Sequence, residues 1–251
     1  MEILISNITI IVIGLILGSF INVLSYRIPN NMPVILSRSK CPKCNIIIPL
    51  YRNIPIIIYI LQLGKCHNCH KSISFQYPII ELFTALIFYF GLSNNLTNSE
   101  YVLFIWCSCI LITISIIDLK TFTIPLKLIM LFFIGELIFI IINHENIYNI
   151  LLGGFVGLGY LGLTFLITAI IYKKQTLGYG DLLLISLIGL WIGPINILIC
   201  IFLSSILGIT IWIIKSYQKV NNEKLPFGTY LSLNAILLKI LNIDFISYIS
   251  L

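Results

Sequence analysis

Residues 101–120 read YVLFIWCSCILITISIIDLK. Positions 101 to 117 pass without a charge before Asp118 and Lys120 close the run. As a helix, that run nearly matches the hydrocarbon thickness of a bilayer. The run is solid rather than alternating, which excludes a membrane β-barrel, whose strands alternate over roughly ten residues. Outward from it, comparable apolar runs fall at about 3–24, 78–92, 125–142, 148–171, 182–193, 195–214 and 227–243. Gly193-Pro194 divides the stretch 182–214 into two short helices, because proline breaks the helical hydrogen-bond ladder. The expected fold is therefore an all-α polytopic membrane protein with about eight transmembrane helices. Composition agrees: 59% of residues are hydrophobic and 10% charged, against about a quarter charged in soluble domains. Mean hydropathy is +1.06. A soluble enzyme, a disordered tail and a collagen-like fibre are excluded. Glu2 precedes the first run where a signal peptide would carry basic residues, and no small-residue cleavage site follows, so the run is kept as a helix.

Charge sets the topology. The segment after the first run carries Arg27, Arg38, Lys40, Lys43, Arg52, Lys65 and Lys71. The third connection has Lys120 and Lys127, the fifth Lys173 and Lys174, the seventh Lys215, Lys219 and Lys224. Only Lys239 of the fifteen basic residues falls elsewhere. Basic loops stay cytoplasmic, so the amino terminus is expected outside and the four basic connections inside. The net charge of +6 is read as topology, with the lipid bilayer as partner and no nucleic acid. Three divisions follow: a first transmembrane helix at 1–24, a cytosolic loop domain at 25–77, and a transmembrane domain at 78–251. Gly14/Gly18 and Gly153/Gly157 sit four apart, a spacing that lets helix backbones approach closely.

Three of the seven cysteines, Cys107, Cys109 and Cys200, lie in apolar runs and read as small packing residues. The other four form Cys41-x2-Cys44 and Cys66-x2-Cys69 in the loop domain. In a reducing cytosol this spacing suits a tetrahedral Zn²⁺ held by four thiolates, structural because no coordination position stays open. Substitution of one cysteine by His67 or His70, or an iron–sulfur cluster, are the competing readings. The apolar stretch 46–63, broken by Pro49, Arg52 and Pro55, is expected along the membrane or against the protein.

Nine acidic residues remain to be placed. Glu2, Glu100, Glu145, Glu223 and Asp244 fall at ends or in loops; Glu81, Asp118, Glu136 and Asp181 do not. Asp118 closes the third span, and Asp181 opens the sixth in Gly178-Tyr179-Gly180-Asp181. Both are expected at the cytosolic boundary, on antiparallel helices. Two carboxylates at one depth between apolar walls share one proton. The ionised partner then draws a proton from water while the protonated one hydrogen-bonds a scissile carbonyl. Gly178 and Gly180 let the backbone pass close to a substrate. The structural alternatives are that Asp181 caps its helix and that Asp118 pairs with Lys120.

An ordered set of motifs resembles the bacterial prepilin peptidases, the type IV leader peptidase family of GxGD membrane aspartyl proteases. It comprises Gly18-Ser19-Phe20-Ile21-Asn22 running to Arg27-Ile28-Pro29, the paired cysteine motifs with Arg52-Asn53-Ile54-Pro55 between them, and Tyr77-Pro78-Ile79-Ile80-Glu81-Leu82. Asp118 with Ile124-Pro125, Gly178 to Asp181 and Pro226-Phe227-Gly228 complete it. The resemblance implies catalytic Asp118 and Asp181. It also implies cleavage of the short basic leader of pilin-like precursors (prepilins and pseudopilins) at the cytosolic face of the bacterial inner membrane. Many members also methylate the new amino terminus with S-adenosylmethionine. The chain departs from the family pattern at Leu182-Leu183-Leu184, where a lysine is common, at Leu126, where an acid is frequent, and at Gln76, where arginine is often seen. No glycine-rich cofactor loop occurs, so the methyl-donor site is unassigned, with Glu81 and Asn53 as candidates. The competing functions are a GxGD peptidase without methyltransferase activity, a relative acting on archaeal preflagellins, a small proton- or cation-coupled transporter, and a non-catalytic zinc scaffold.

Overall fold

The computed structural model describes residues 2–34, 38–92, 96–143, 147–173, 178–218 and 225–241. Lys174, Lys219, Lys224, Glu145, Glu223 and Asp244, used above in sorting charge, lie outside the described residues. Among the described residues the chain is helical: α1 Glu2–Arg27, α2 Ile57–Leu61, α3 Gln76–Leu92, α4 Asn98–Thr121, α5 Leu126–Asn143, α6 Ile147–Tyr172, α7 Tyr179–Ile192, α8 Pro194–Tyr217 and α9 Phe227–Leu241. Five of these, α1, α4, α5, α6 and α8, are long and apolar enough to cross a membrane; α3, α7 and α9 are shorter apolar helices. The chain forms two compact units, Met1–Leu96 and Thr97–Leu251.

In the first unit α1 lies along α3. The two glycines four apart explain the approach: a Cβ on Gly14 would stand 2.6 Å from the Ala85 Cα, and one on Gly18 2.7 Å from the Glu81 Cα. One turn on, Asn22 Nδ2 donates to the carbonyls of Gly18 and Tyr77, each at 3.2 Å, and Gln76 Nε2 donates to Asn22 Oδ1 at 3.4 Å. Side-chain amides thus join the helices where glycines no longer do. Arg27, buried at the end of α1, folds back to donate to the carbonyls of Pro33, Val34 and Arg38. It ties down the first turn of the loop. The loop is pinned again where the Ile56 N–H donates to Glu81 Oε2 on α3 at 2.8 Å. Ile56 adopts φ 56° there, a conformation unfavourable for a β-branched residue.

In the second unit α4 is the most enclosed span, with 67% of its apolar window buried against 22% for α5 and α6. Its entry is capped by Thr97 and Glu100, each side chain accepting the other's backbone N–H. The chain leaves α4 through Phe122, in the left-handed conformation at φ 54°. Glycine again sets the helix contacts: Gly153 on α6 and Gly189 on α7 meet backbone to backbone, and Gly157 faces the Ile185 carbonyl. Gly193, at φ 85°, ends α7, and Pro194 starts α8 at its first turn, so the stretch 182–214 is two helices as expected. Outward-facing side chains are apolar, as at Phe155 (68% exposed) and Ile170 (76%). That is the pattern of a surface solvated by lipid.

The glycine contact yields a prediction. A methyl group on Gly153 overlaps the Gly189 backbone, whereas one on Gly159 meets nothing within 4 Å. Gly153→Ala is expected to cost about 1–3 kcal/mol of stability, the usual range for overpacking, and Gly159→Ala close to nothing. Thermal unfolding of the two variants in detergent, side by side, checks the ordering.

Candidate active site

Three chain segments of the second unit converge at one end of α4. Asp118 lies in the last turn of α4 and is 4% exposed. Asp181 lies in the first turn of α7, and Gly228 is the second residue of α9. A Cβ on Gly228 would stand 3.1 Å from Asp118 Oδ2 and 3.4 Å from Asp181 Oδ1. The bare face of Gly228 therefore looks between two carboxylates, close enough for their charges to interact. Ile124, in the turn between α4 and α5, is the wedge of the site. A Cβ on Gly180 would stand 3.0 Å from the Ile124 Cβ, and one on Gly228 2.8 Å from its Cδ1. Both glycines are needed for α7 and α9 to close on the same isoleucine. Gly178 is the N-cap residue of α7 and makes no side-chain cap. Asp181 is thus not the cap, and its N–H donates to the Gly178 carbonyl at 3.1 Å.

Asp118 is held from α9. The Thr229 N–H donates to Asp118 Oδ2 at 2.9 Å, and the Thr229 hydroxyl lies 3.3 Å from the same oxygen and 3.0 Å from the Ser115 carbonyl. Lys120, the alternative partner considered from sequence, is exposed. Thr229 is the residue that sequence reasoning missed. Its only signal was position, immediately after Pro226-Phe227-Gly228. Of the other acids, Glu81 anchors the loop, as described above. Glu136 is buried against Cys107, whose Sγ donates to Glu136 Oε1 at 3.5 Å.

In the first unit, the four loop cysteines come together. All four Sγ atoms lie within 4.8 Å of one another, with Cys41 and Cys69 at 3.9 Å and Cys44 and Cys66 at 4.0 Å. Tetrahedral zinc with Zn–S bonds of about 2.3 Å places its sulfurs about 3.8 Å apart. Two matching knuckles produce the cluster. In each, the first cysteine's N–H bonds the carbonyl five residues on (Cys41 to Ile46, Cys66 to Lys71). The residue after the second cysteine, Asn45 or His70, is left-handed, and an isolated bridge (Lys40 to Ile47, Lys65 to Ser72) closes the turn. The N–H groups of Cys69 and Asn68 pull the Cys66 thiol down to about 6, and that of Ile46 lowers Cys44. Against the Lys71 N–H, burial and the three neighbouring sulfurs push Cys69 up to about 11. Four sulfurs this close resist carrying four charges unless a cation joins them. Among the described residues His67 and His70 are not part of the cluster.

Known proteins show the same division of the chain. Residues 12–94 match the model of the bacterial peptidase A24 N-terminal domain, and residues 102–213 that of the type IV leader peptidase family. The chain is 32% identical, over 89% of each sequence, to an Escherichia coli protein named type 4 prepilin-like proteins leader peptide-processing enzyme. It is 30% identical to a Pectobacterium carotovorum prepilin leader peptidase/N-methyltransferase over 92% of this chain and 91% of that one. The protein of the same name from Pseudomonas aeruginosa is 29% identical over 89% of this chain and 86% of its own. No solved structure gives a significant match.

Proposed function

We infer what this chain does from one premise: it belongs to the type IV leader peptidase family. It is a membrane-embedded aspartic peptidase. We propose that it removes the leader of pilin-like precursors at the cytosolic face of the bacterial inner membrane, with the amino terminus outside and eight spans. The observation that carries the reading is the pair of carboxylates flanking the bare face of Gly228.

The pair divides its labour as follows. The donors aimed at Asp118 Oδ2 suit an ionised carboxylate, and Asp181 holds the shared proton. Water between them loses a proton to Asp118 as it attacks the scissile carbonyl, and Asp181 donates its hydrogen bond to the carbonyl oxygen. The proton then passes to the leaving amine. Gly178 and Gly180 let the backbone pass close to an extended peptide, and Gly228 leaves room for the two carboxylates to face each other. A basic leader resists crossing the bilayer while the precursor's apolar helix stays in it, so the bond is presented at the boundary where these aspartates are placed. The relatives' names support a second step, methylation of the new amino terminus. S-adenosylmethionine is the donor of that methyl group, and no residue is assigned to its site. The four cysteines are proposed to hold a structural Zn²⁺ that staples the two knuckles.

Three outcomes are expected. Asp118→Asn and Asp181→Asn each remain folded and lose cleavage of a purified precursor pilin by about a hundredfold or more, the usual scale of a missing acid–base group. Full cleavage by either variant ends the two-aspartate reading. Thr229→Val lowers kcat about ten- to a hundredfold, the range for a hydrogen bond to a charged group, while the variant stays folded. Thr229→Ser restores the rate, which a merely structural threonine would not do. Elemental analysis gives about one zinc per chain, lost in Cys44→Ser and Cys66→Ser, and chelation lowers the unfolding temperature.

A further inference from the structure

The loop carries an apolar, basic-rimmed face that the peptidase chemistry does not use. In α2 and the turn after it, Leu61 is 73% and Leu63 83% exposed, and Ile57 and Ile60 are exposed as well. Leu63 is also held at φ 50°, a region that disfavours leucine. The turn that holds it is bonded throughout: Leu63 N–H to Ile60, Gly64 N–H to Tyr59 and Lys65 N–H to Gln62. A leucine fixed outward at this cost is a poor residue for water and a good one for an apolar medium. Beside it lies a cavity of about 410 Å³ with Leu61 and Leu63 on its apolar wall and Arg52, Lys65, His67 and His70 around it.

Charge gives the sign of the occupant. Between Glu2 and Glu81 the sequence has no acidic residue, and residues 25–77 carry seven Lys and Arg. A divalent ion on four thiolates leaves that segment positive. A cationic partner would be repelled, and an uncharged protein surface would leave Arg52 and Lys65 without counter-charge. The segment is also tethered by α1 and α3, apolar helices packed on each other, so its ends stay at the edge of the apolar layer. We propose that the 51–65 face docks on the membrane surface, with Leu61 and Leu63 in the acyl boundary and Arg52 and Lys65 on anionic phospholipid headgroups. The paired knuckles are then a rigid support that presents a lipid-binding turn. This goes beyond the peptidase reading and does not depend on it.

The test uses the full-length, metal-loaded protein in vesicles of phosphatidylcholine, alone or with about a third phosphatidylglycerol. Leu63→Trp adds an emitter at the turn, read as the difference from the parent with its own Trp106, Trp191 and Trp212. Tyr51→Trp, at another residue lining the cavity, is the second variant, and metal content reports that the knuckles are intact. Bromine-labelled acyl chains are expected to quench the added tryptophan, more strongly in the anionic vesicles. Arg52→Gln and Lys65→Gln are each expected to lower the docked-to-undocked ratio about fivefold there and to leave neutral vesicles unchanged. An added tryptophan that emits as in water and is unquenched in both vesicles overturns the docking. Quenching that is equal in both and indifferent to Arg52→Gln and Lys65→Gln overturns the headgroup assignment, and leaves the face to a purely apolar or protein partner.

Discussion

Asp118 is nearly sealed at the end of α4, only 4% exposed, and what it requires is required across the second unit. A polar group inside an apolar layer finds its partner within the protein, because water is not there to supply one. Thr229 meets that requirement for Asp118 by reaching it from the start of α9. The same rule accounts for other pairs. Asn234 on α9 donates to Ser204 on α8, whose hydroxyl turns back on the Cys200 carbonyl. Cys200 in turn donates to the Leu231 carbonyl on α9. The cysteines of the spans are therefore more than small fillers; two of them bond carbonyl or carboxylate oxygens across helices. The aspartate pair pushes the rule further, since two carboxylates are brought to the bare face of one glycine, Gly228.

Much of this was legible in the chain. The apolar runs fall where the eight longer helices do, and the break at Gly193-Pro194 needed only proline's missing donor. The cysteine cluster was legible because its ligands announce themselves by spacing within a turn. Asp118 and Asp181 were singled out because a carboxylate in an apolar run demands a reason. Their partners were not legible. Thr229 lies 111 residues from Asp118, and nothing in local periodicity links the two. Nor does anything link Gly153 to Gly189: the first stands out by its four-residue spacing from Gly157, while nothing in the run around the second points to α6. Periodicity reports what one helix shows its surroundings, and pairing across helices is information of another kind.

The loop shows the converse, local strain explained by distant bonds. Ile56 would not choose φ 56° by itself, yet its N–H points at Glu81 in that conformation. Read from sequence, Glu81 is a candidate for methyl-donor contact. In the fold its carboxylate receives the Ile56 N–H, and that bond fixes the loop against α3. Arg27 acts similarly at the other end, spending its guanidinium on three carbonyls of the following turn. One of the seven loop cations is thereby turned inward and partnered with backbone oxygens. The exposed charge of the loop rests on the others.

Lys239 completes the account of the charges, as the one basic residue that the alternation of loops left over. It lies in the last turn of α9, where its Nζ donates to the Trp191 carbonyl at 3.4 Å and stands 5.9 Å from the Trp191 ring centroid. It is also close enough to Glu136 for the two charges to interact. Phe104 and Phe132 both pack on the Trp191 ring, so the lysine stands over an aromatic cluster. A cation of this kind is a counter-charge for a buried acid rather than a loop anchor, and a rule that counts loop charges has no reason to include it. The exception to the charge pattern thus sits near a buried acid, Glu136, whose hydrogen bond comes from Cys107.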